Sequence, residues 1–182
     1  KDKPTIFSIE FSYQSVAEWF NLNDKEFEDY NTQSQLYKEY TSERDTHIIF
    51  TDKIKKLSNQ IIGTETNPYK KVRKIFDYIH DHYPWAGARE YSTIYNIPEY
   101  VIDNKHGDCG QVSLLFITLA RYNGIPAKWQ SGFMMHPNGL NLHDWAEVYF
   151  EGIGWIPVDQ SFGRKDFSQN DDERYFLSNG ID

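Results

Sequence analysis

The only cysteine of this 182-residue chain, Cys109, stands in the sequence Gly107-Asp108-Cys109-Gly110. Asp108 is a good helix N-cap, so we expect the sulfur at a helix N-terminus, where free N–H groups and the helix dipole favour a thiolate. The flanking glycines leave the approach to the sulfur open, and backbone N–H groups there can hold an oxyanion. Free cysteines are also commonly small buried hydrophobes, so these residues alone leave a nucleophile and a structural thiol both open.

A thiol nucleophile needs a general base, and the base needs an acceptor that orients it. His143 is the best placed of the six histidines because it opens a predicted strand, 143–150. Ala146, Val148 and Phe150 form the apolar core face of that strand, which puts His143 on the opposite face. The next apolar stretch, 155–159, ends in the polar residue Asp159. The sequence therefore offers a base and an acceptor on neighbouring strands.

The register of this hairpin decides whether the two side chains can meet. His143 and Asp159 lie directly opposite each other in a hairpin centred on residue 151, whereas the glycine pair of the turn is centred nearer residue 153. We therefore expect the two residues to be offset by a few positions. We expect a β-bulge at Pro157 to bring the two residues together, because proline has no backbone N–H to donate to the strand ladder.

The other five histidines are weaker candidates for the base. His106 is close to the cysteine in sequence but lies on the same loop, so it needs a tight chain reversal to reach the sulfur. His80 and His82 are two residues apart near a helix end, which is a poor spacing for a metal site. His47 and His136 suggest no specific role. We therefore expect no metal ligands and no cofactor.

The surrounding patterns predict the elements that position these residues. Residues 109–122 are apolar nearly all round, which is typical of a buried central helix, and Gly124 and Pro126 end it. Asn67 as N-cap and Pro68 as first residue begin an earlier helix. The other predicted elements are a half-buried strand at 7–13, helix and loop over 14–46, a helix begun by Thr51 or Asp52 and ended by Gly63, a long loop with short turns at 85–107, and strands at 127–134, 142–150 and 155–159.

Fold class and composition exclude several kinds of protein. A buried helix followed by antiparallel strands predicts an α+β fold and not a parallel α/β fold. One cysteine excludes a disulfide framework and a cysteine-rich zinc site. A net charge of −8 argues against a nucleic-acid partner, which requires a basic face. We expect no transmembrane segment in this chain, because no apolar run approaches the roughly 18 residues of a membrane span.

Four motifs in the second half of the chain resemble the transglutaminase-like superfamily, specifically its bacterial branch with a papain-like core. The motifs are Gly107-Asp108-Cys109-Gly110-Gln111, Gly124-Ile125-Pro126-Ala127, His143-Asp144-Trp145-Ala146-Glu147-Val148-Tyr149 and Gly154-Trp155-Ile156-Pro157-Val158-Asp159. The helix that begins Asn67-Pro68-Tyr69 is similar to the family segment upstream of the nucleophile. The combined order of these motifs is specific, and the fold that it implies is a central buried helix, with cysteine at its N-terminus, packed on an antiparallel sheet.

The resemblance also implies a division of the chain. We expect residues 67–182 to form the transglutaminase-like catalytic core and residues 1–66 to form an N-terminal arm of strand and helix that can belong to the same domain. The chain begins at Lys1 and not at Met, which we interpret as the removal of an upstream segment. A location in the cell envelope or outside the cell is slightly favoured over the cytoplasm.

The activity that the resemblance implies is that of a Cys-His-Asp triad, formed by Cys109, His143 and Asp159, with a thioester intermediate. It implies a cysteine-dependent amide hydrolase or acyl transferase that acts on peptide or protein substrates, with hydrolysis favoured and a cell-wall peptide as one candidate. No EF-hand-like loop is visible, so the calcium dependence of animal transglutaminases is not expected. The alternative is a non-catalytic module that keeps the fold and holds a peptide or a glycan.

Trp85, Trp129 and Trp145 are the three candidate substrate-binding residues. Trp129 and Trp145 can wall an acyl-substrate groove, although aromatic residues on strands more often belong to the core. The family resemblance also implies oxyanion donors. The backbone N–H of Cys109 is one candidate, and an aromatic residue near Trp85 or Tyr91 is another.

Overall fold

A computed structural model describes residues 4–14, 20, 22, 26–136 and 139–161.

Each α-helix in these residues begins directly after a side chain that caps it. In all five α-helices the N-cap oxygen accepts the backbone N–H of the third helical residue. The helices are α1 (Gln35–Thr41), α2 (Asp52–Ile62), α3 (Pro68–His82), α4 (Ile97–Asn104) and α5 (Cys109–Tyr122), capped by Ser34, Thr51, Asn67, Asn96 and Asp108, and a 3₁₀ turn spans Tyr91–Thr93.

Three antiparallel strands follow the last helix, in the spatial order β1-β2-β3. They are β1 (Ala127–His136), β2 (Gly139–Phe150) and β3 (Gly154–Val158). Gly152 and Gly154 have φ angles of 75° and 108°, so the turn between β2 and β3 requires glycine at both positions. Helix α5 packs against β2 and β1. The fold is therefore α+β, as the sequence predicts.

Helix α5 is the centre of the hydrophobic core. Every residue from Gly110 to Arg121 is buried, while Cys109 at its start is only half-buried. Burial of each large apolar side chain contributes about 1.5–3 kcal/mol, so this helix carries a large share of the folding free energy. Side chains that precede residue 67, Leu22, Ile48 and Ile54, pack into the same core cluster. The division of the chain at residues 66 and 67 stays a prediction.

The predicted strand at 7–13 is wrong. Residues 4–14 form no strand in the structure, and the large apolar side chains of this segment are exposed. Alternation of apolar and polar residues identifies one apolar face, but it does not supply a neighbouring strand. Of the predicted helix and loop over 14–46, residues 15–19, 21 and 23–25 lie outside the described residues. The described remainder contains α1.

The segment 85–107 contains a helix in addition to the long loop with short turns that its irregular apolar pattern predicts. It contains the 3₁₀ turn and α4, whose N-cap Asn96 accepts the N–H of Glu99 at 2.9 Å and whose second residue is Pro98. An N-cap followed by an early proline is the same signal that predicts α3 correctly. The helix is short, eight residues, and that length weakens the periodicity on which the prediction depends.

We expect Ile54→Ala to lower the free energy of unfolding of the whole chain by about 2–5 kcal/mol, because it leaves a cavity in the shared core. Ile54 is 0% exposed, whereas Ile6 is 87% exposed. Urea denaturation followed by circular dichroism measures the change, with Ile6→Ala as the matched control that stays within about 0.5 kcal/mol. If Ile54→Ala behaves like its control, the segment before residue 67 does not contribute to the core.

Candidate active site

The thiol lies at the exposed end of a buried helix. Asp108 and Gln111 cap α5 reciprocally: Asp108 Oδ1 accepts the Gln111 N–H at 2.9 Å, and Gln111 Oε1 accepts the Asp108 N–H at 3.3 Å. The backbone N–H groups of Cys109 and Gly110 make no hydrogen bond to any described residue. Two donors at the positive end of the helix dipole are thus available beside the sulfur.

The chain that leads into α5 is held by backbone and side-chain bonds from the preceding loop. Gly107 forms a parallel bridge with Trp85, with the Ala86 N–H donating to the Gly107 carbonyl at 3.1 Å. Gln111 Nε2 donates to the carbonyl of Arg89 at 3.3 Å. These bonds fix the position and direction of the N-terminus of α5, and therefore the position of the thiol.

His143 and Asp159 meet through an uninterrupted register. All pairs of β2 and β3, including Glu147 with Pro157, are centred on residue 152. The expected bulge at Pro157 is therefore wrong. Continuing the register by one residue puts Asp159 opposite Trp145, two positions from His143 and on the same face. Such diagonal neighbours are within reach of long side chains, so no irregularity is needed.

The contact between the two side chains is short and buried. His143 Nε2 lies 2.5 Å from Asp159 Oδ2, and the side chains are 12% and 2% exposed. The other carboxylate oxygen, Oδ1, accepts the backbone N–H of Ser161 at 2.9 Å. A carboxylate this deeply buried is stable as an ion only when it is paired and hydrogen-bonded, and here both of its oxygens have donors.

Electrostatics favour the charged imidazole. Burial lowers the pKa of His143, but hydrogen bonds and charge interactions with Asp159 and Cys109 outweigh burial and raise the pKa to about 10. The ring therefore interacts with both the Asp159 carboxylate and the Cys109 side chain. The structure brings the three residues of the predicted triad into one cluster, and their catalytic roles stay a prediction.

Asp144 is a neighbour of the thiol that the sequence analysis missed. Its Oδ2 lies 4.0 Å from Cys109 Sγ. Burial and the charge of Asp108 raise the pKa of Asp144, so this carboxyl group holds its proton more strongly than an exposed aspartate. Asp144 has the same parity along β2 as the core residues Ala146 and Val148. A polar residue on an otherwise apolar face was the signal available in the sequence.

Gly110 is the point at which three side chains converge beside the thiol. A Cβ atom built on Gly110 would lie 2.7 Å from Trp129 Cη2 and 2.8 Å from Asp144 Oδ2, and it would overlap the Tyr91 hydroxyl. That hydroxyl donates to Asp108 Oδ1 at 2.5 Å, and burial together with this bond raises the pKa of Tyr91. Only glycine allows these groups to approach the helix N-terminus so closely.

The three predicted substrate-binding tryptophans occupy different environments. Trp129 is half-buried against Gly110. Trp145 stacks on His143 with ring centroids 6.1 Å apart, and its buried indole Nε1 has no hydrogen-bond partner among the described residues. Trp85 is 66% exposed at the bridge to the loop before α5. The structure therefore brings two of them to the thiol cluster and leaves Trp85 at its edge.

His106, the histidine nearest to Cys109 in sequence, lies apart from this cluster. His106 Nδ1 bonds to the Asn104 carbonyl at 2.9 Å, and its ring packs edge-on against Tyr100. It is directed at α4 and not at the sulfur. Within the described ranges, no group of three His, Cys, Asp or Glu side chains is arranged to hold a metal ion. No helix in the same ranges is both long and apolar enough to cross a bilayer.

We expect the contact between His143 and Asp159 to make stability depend on pH. The pKa of His143 is raised from 6.5 to about 10 in the folded chain, so the stabilisation is complete below about pH 6.5 and is lost as the pH rises. In Cys109→Ala, where no thiol titrates, the free energy of unfolding in urea should fall more between pH 6 and 9 than in Cys109→Ala/His143→Gln. Equal decreases in the two proteins would contradict the pairing.

Two bacterial proteins of greater length share sequence with this chain. It is 25% identical over 131 residues to the uncharacterized protein YebA of Bacillus subtilis, covering 62% of this chain and 18% of YebA. It is 27% identical over 142 residues to an uncharacterized protein of Haemophilus influenzae, covering 63% of this chain and 37% of that protein. The chain thus spans well under half the length of either relative.

Solved structures share the fold over most of the chain. A candidate cysteine protease from Cytophaga hutchinsonii superposes with a TM-score of 0.60 at 25% identity, covering 70% of this chain and 43% of that one. The periplasmic domain of TgpA from Pseudomonas aeruginosa superposes with a TM-score of 0.57 at 16% identity, covering 70% and 47%. The second similarity shows the fold alone.

The sequence pattern of one family covers more than half of the chain. The model of the transglutaminase-like superfamily matches residues 55–160, a range that contains Cys109, His143 and Asp159. Together with the Cytophaga hutchinsonii structure, this match indicates a protein of the general cysteine-enzyme type. The chain belongs to the transglutaminase-like superfamily.

Proposed function

We propose that this chain is a cysteine-dependent amide hydrolase or acyl transferase that acts on peptide or protein substrates through a thioester, with hydrolysis favoured over cross-linking. The observation that carries the proposal is the position of His143. Its Nε2 contacts the buried Asp159 at 2.5 Å, and its ring also interacts with the Cys109 side chain at the N-terminus of α5. A nucleophile, a base and an orienting carboxylate in this order form the arrangement that covalent amide hydrolysis requires.

The first half of the proposed reaction forms the thioester. The Cys109 thiolate attacks the carbonyl carbon of the amide, and the negative charge moves to the carbonyl oxygen. The unbonded N–H groups of Cys109 and Gly110 supply donors for that oxygen. The His143 imidazolium then gives its proton to the amide nitrogen, the C–N bond breaks, and the amine leaves. The acyl group is now bonded to the sulfur.

The second half regenerates the thiolate. A water molecule gives a proton to the neutral His143 as its oxygen attacks the thioester carbon, and the C–S bond breaks to release a carboxylic acid. A primary amine in place of water gives a new amide, which is the cross-linking outcome. Asp159 holds the imidazole in one orientation throughout, because its other oxygen is fixed by the Ser161 N–H.

The same proposal includes the substrate contacts, the candidate substrate and the location of the protein. Trp129 and Trp145 line the thiol cluster and would contact the acyl part of the substrate, with Trp85 at the edge. A cell-wall peptide is one candidate substrate, and the cell envelope or the exterior is the favoured location. The fold shared with a periplasmic domain is compatible with that location.

We expect iodoacetamide to alkylate Cys109 quickly even well below pH 8, because the helix N-terminus and the His143 imidazolium favour the thiolate. Intact mass spectrometry measures the rate between pH 5 and 9, and the label is unambiguous because the chain has one cysteine. His143→Ala should slow labelling at pH 6 by about tenfold or more, whereas His106→Ala should label like the parent. A parent protein that reacts no faster than an ordinary thiol would refute the nucleophile.

We expect Cys109→Ala to abolish turnover of any amide substrate, because no other described side chain at the site replaces the sulfur. A library of fluorogenic peptides identifies a substrate for the parent chain, and the variants are then compared on it. His143→Ala should lose at least about 10³-fold in kcat, and His106→Ala should keep most of its activity. Turnover that survives Cys109→Ala would favour the non-catalytic alternative, with a contaminating enzyme as its source. Loss in His106→Ala with activity in His143→Ala would instead identify a different base.

A further inference from the structure

A cavity of about 480 Å³ lies next to the thiol cluster and has no part in the proposed chemistry. It is bounded by the chain segment 44–48, by α5 and by β1. Its volume is within the range of sites that bind small ligands or single side chains. We call it the basic pocket, because Arg44, His47, Arg121 and Lys128 line it and Asp45 is its one acidic side chain.

Arg121 is the unusual member of this set. It is 5% exposed, and its guanidinium donates only to backbone carbonyls: Nε to Ala127 at 2.8 Å, and Nη1 to Ser42 at 2.9 Å and Glu39 at 3.4 Å. No carboxylate of the described residues forms an ion pair with it. Burial and the charge of Arg44 lower the pKa of Arg121 to about 10. Three carbonyl dipoles and the Tyr40 ring, whose centroid is 5.8 Å from the guanidinium carbon, compensate this charge in part, and a negative ligand would stabilise it further.

The other basic groups differ in how far they are already satisfied. Lys128 is paired with Glu147 at 2.7 Å and lies over the Trp155 ring, so its charge is already compensated. Arg44 is exposed and forms no ion pair with the described residues. His47 Nδ1 accepts the Ile97 N–H at 3.4 Å, which leaves Nε2 as a donor on the other side of the ring. The donors without a partner among the described residues are therefore the Arg44 guanidinium, His47 Nε2 and Arg121 Nη2.

The basic pocket and the thiol are connected along one face of α5. Trp129 contacts Gly110 beside the thiol and also lines the pocket, as does Leu114 on the next turn. Arg121 lies 12 residues after Cys109, which is about 18 Å along the helix axis. An extended peptide covers that distance in about five residues. A substrate held at Cys109 is thus long enough to reach the basic pocket.

We propose that the basic pocket is a substrate subsite that binds a peptide carboxylate, from an acidic side chain or a C-terminus, within about five residues of the scissile amide. The proposal rests on the proposed function and adds the charge of the substrate to it. The exposed Arg44 guanidinium, which makes no hydrogen bond with the described residues, matches the two oxygens of a carboxylate, and Arg121 Nη2 adds a further donor. The two carboxylate sources share this chemistry, and the test separates them.

The test measures binding without turnover, in the full chain carrying Cys109→Ala. The probes are N-acetylglycine for a C-terminal carboxylate and N-acetylglutamate amide for a side-chain carboxylate, with N-acetylglutamine amide as the neutral control. Nitrogen-15 NMR titration follows the Arg121 Nε–H and Trp129 indole signals. We expect saturable shifts of both signals with one or both carboxylates and none with the neutral amide. Shifts that are equally small for all three probes would overturn the proposal.

Two variants distinguish specific binding in the basic pocket from general electrostatic attraction of anions to the protein. Arg44→Gln should weaken carboxylate binding about two- to fivefold, because it removes an exposed charge without removing a backbone contact. Lys56→Gln, an equal charge loss at an exposed position of α2 outside the pocket, should leave binding unchanged. Equal weakening by both variants would overturn the subsite. Arg121→Lys is the stronger change, and its folding is checked by circular dichroism because Arg121 also holds three carbonyls.

Failure of this subsite and failure of the proposed chemistry give different results. Iodoacetamide labelling of the parent chain depends on Cys109 and His143, and it needs no ligand in the basic pocket. Fast labelling together with no carboxylate binding would remove the subsite and leave the nucleophile. Carboxylate binding together with an ordinary thiol rate would leave an anion-binding pocket on a non-catalytic module.

Discussion

Complete burial of α5 is the constraint on which the rest of the structure depends. Twelve consecutive residues, Gly110 to Arg121, are enclosed by the other helices and the sheet, so polar chemistry is confined to the two ends of the helix. At the N-terminus the cap uses the Gln111 N–H and leaves those of Cys109 and Gly110 unbonded. At the other end Arg121 satisfies backbone carbonyls. Both the thiol cluster and the basic pocket are consequences of one buried helix.

The sheet positions the His143–Asp159 pair, which lies outside helix α5. A carboxylate as buried as Asp159 needs a compensating charge, and the register of β2 and β3 provides His143 two positions away on the same face. His143 lies in the paired part of β2, and Asp159 directly follows the last paired residue of β3, so a regular ladder positions both side chains. The imidazole is therefore oriented before any substrate arrives, as its proposed role as general base requires.

The features of the structure that could be predicted from the sequence are those whose signal lies in contiguous residues. The cap and burial of α5 and the glycine turn between β2 and β3 are local signals, and the structure has all of them. The contact of His143 with Asp159 depended on the centre of a hairpin, and an error of one residue there moves Asp159 by two positions along β2. The predicted strand at 7–13 is wrong because alternation of apolar and polar residues does not identify a neighbouring strand with which it could pair. Asp144 was missed because its importance arises from proximity to Cys109 in space.

The charges around the sulfur oppose one another, and their balance explains the need for His143. Asp108 and Asp144 both lie beside the helix N-terminus, and burial, together with the charge of Asp108, raises the pKa of Asp144. A thiolate at Cys109 adds a further negative charge. The helix dipole alone contributes about 0.3–1 kcal/mol at an exposed terminus, less than one close carboxylate can cancel. The imidazolium of His143, itself stabilised by the buried Asp159, is the local cation that offsets these acids. In the proposed mechanism, Asp159 therefore acts on the thiol through the charge of the ring as well as through its orientation.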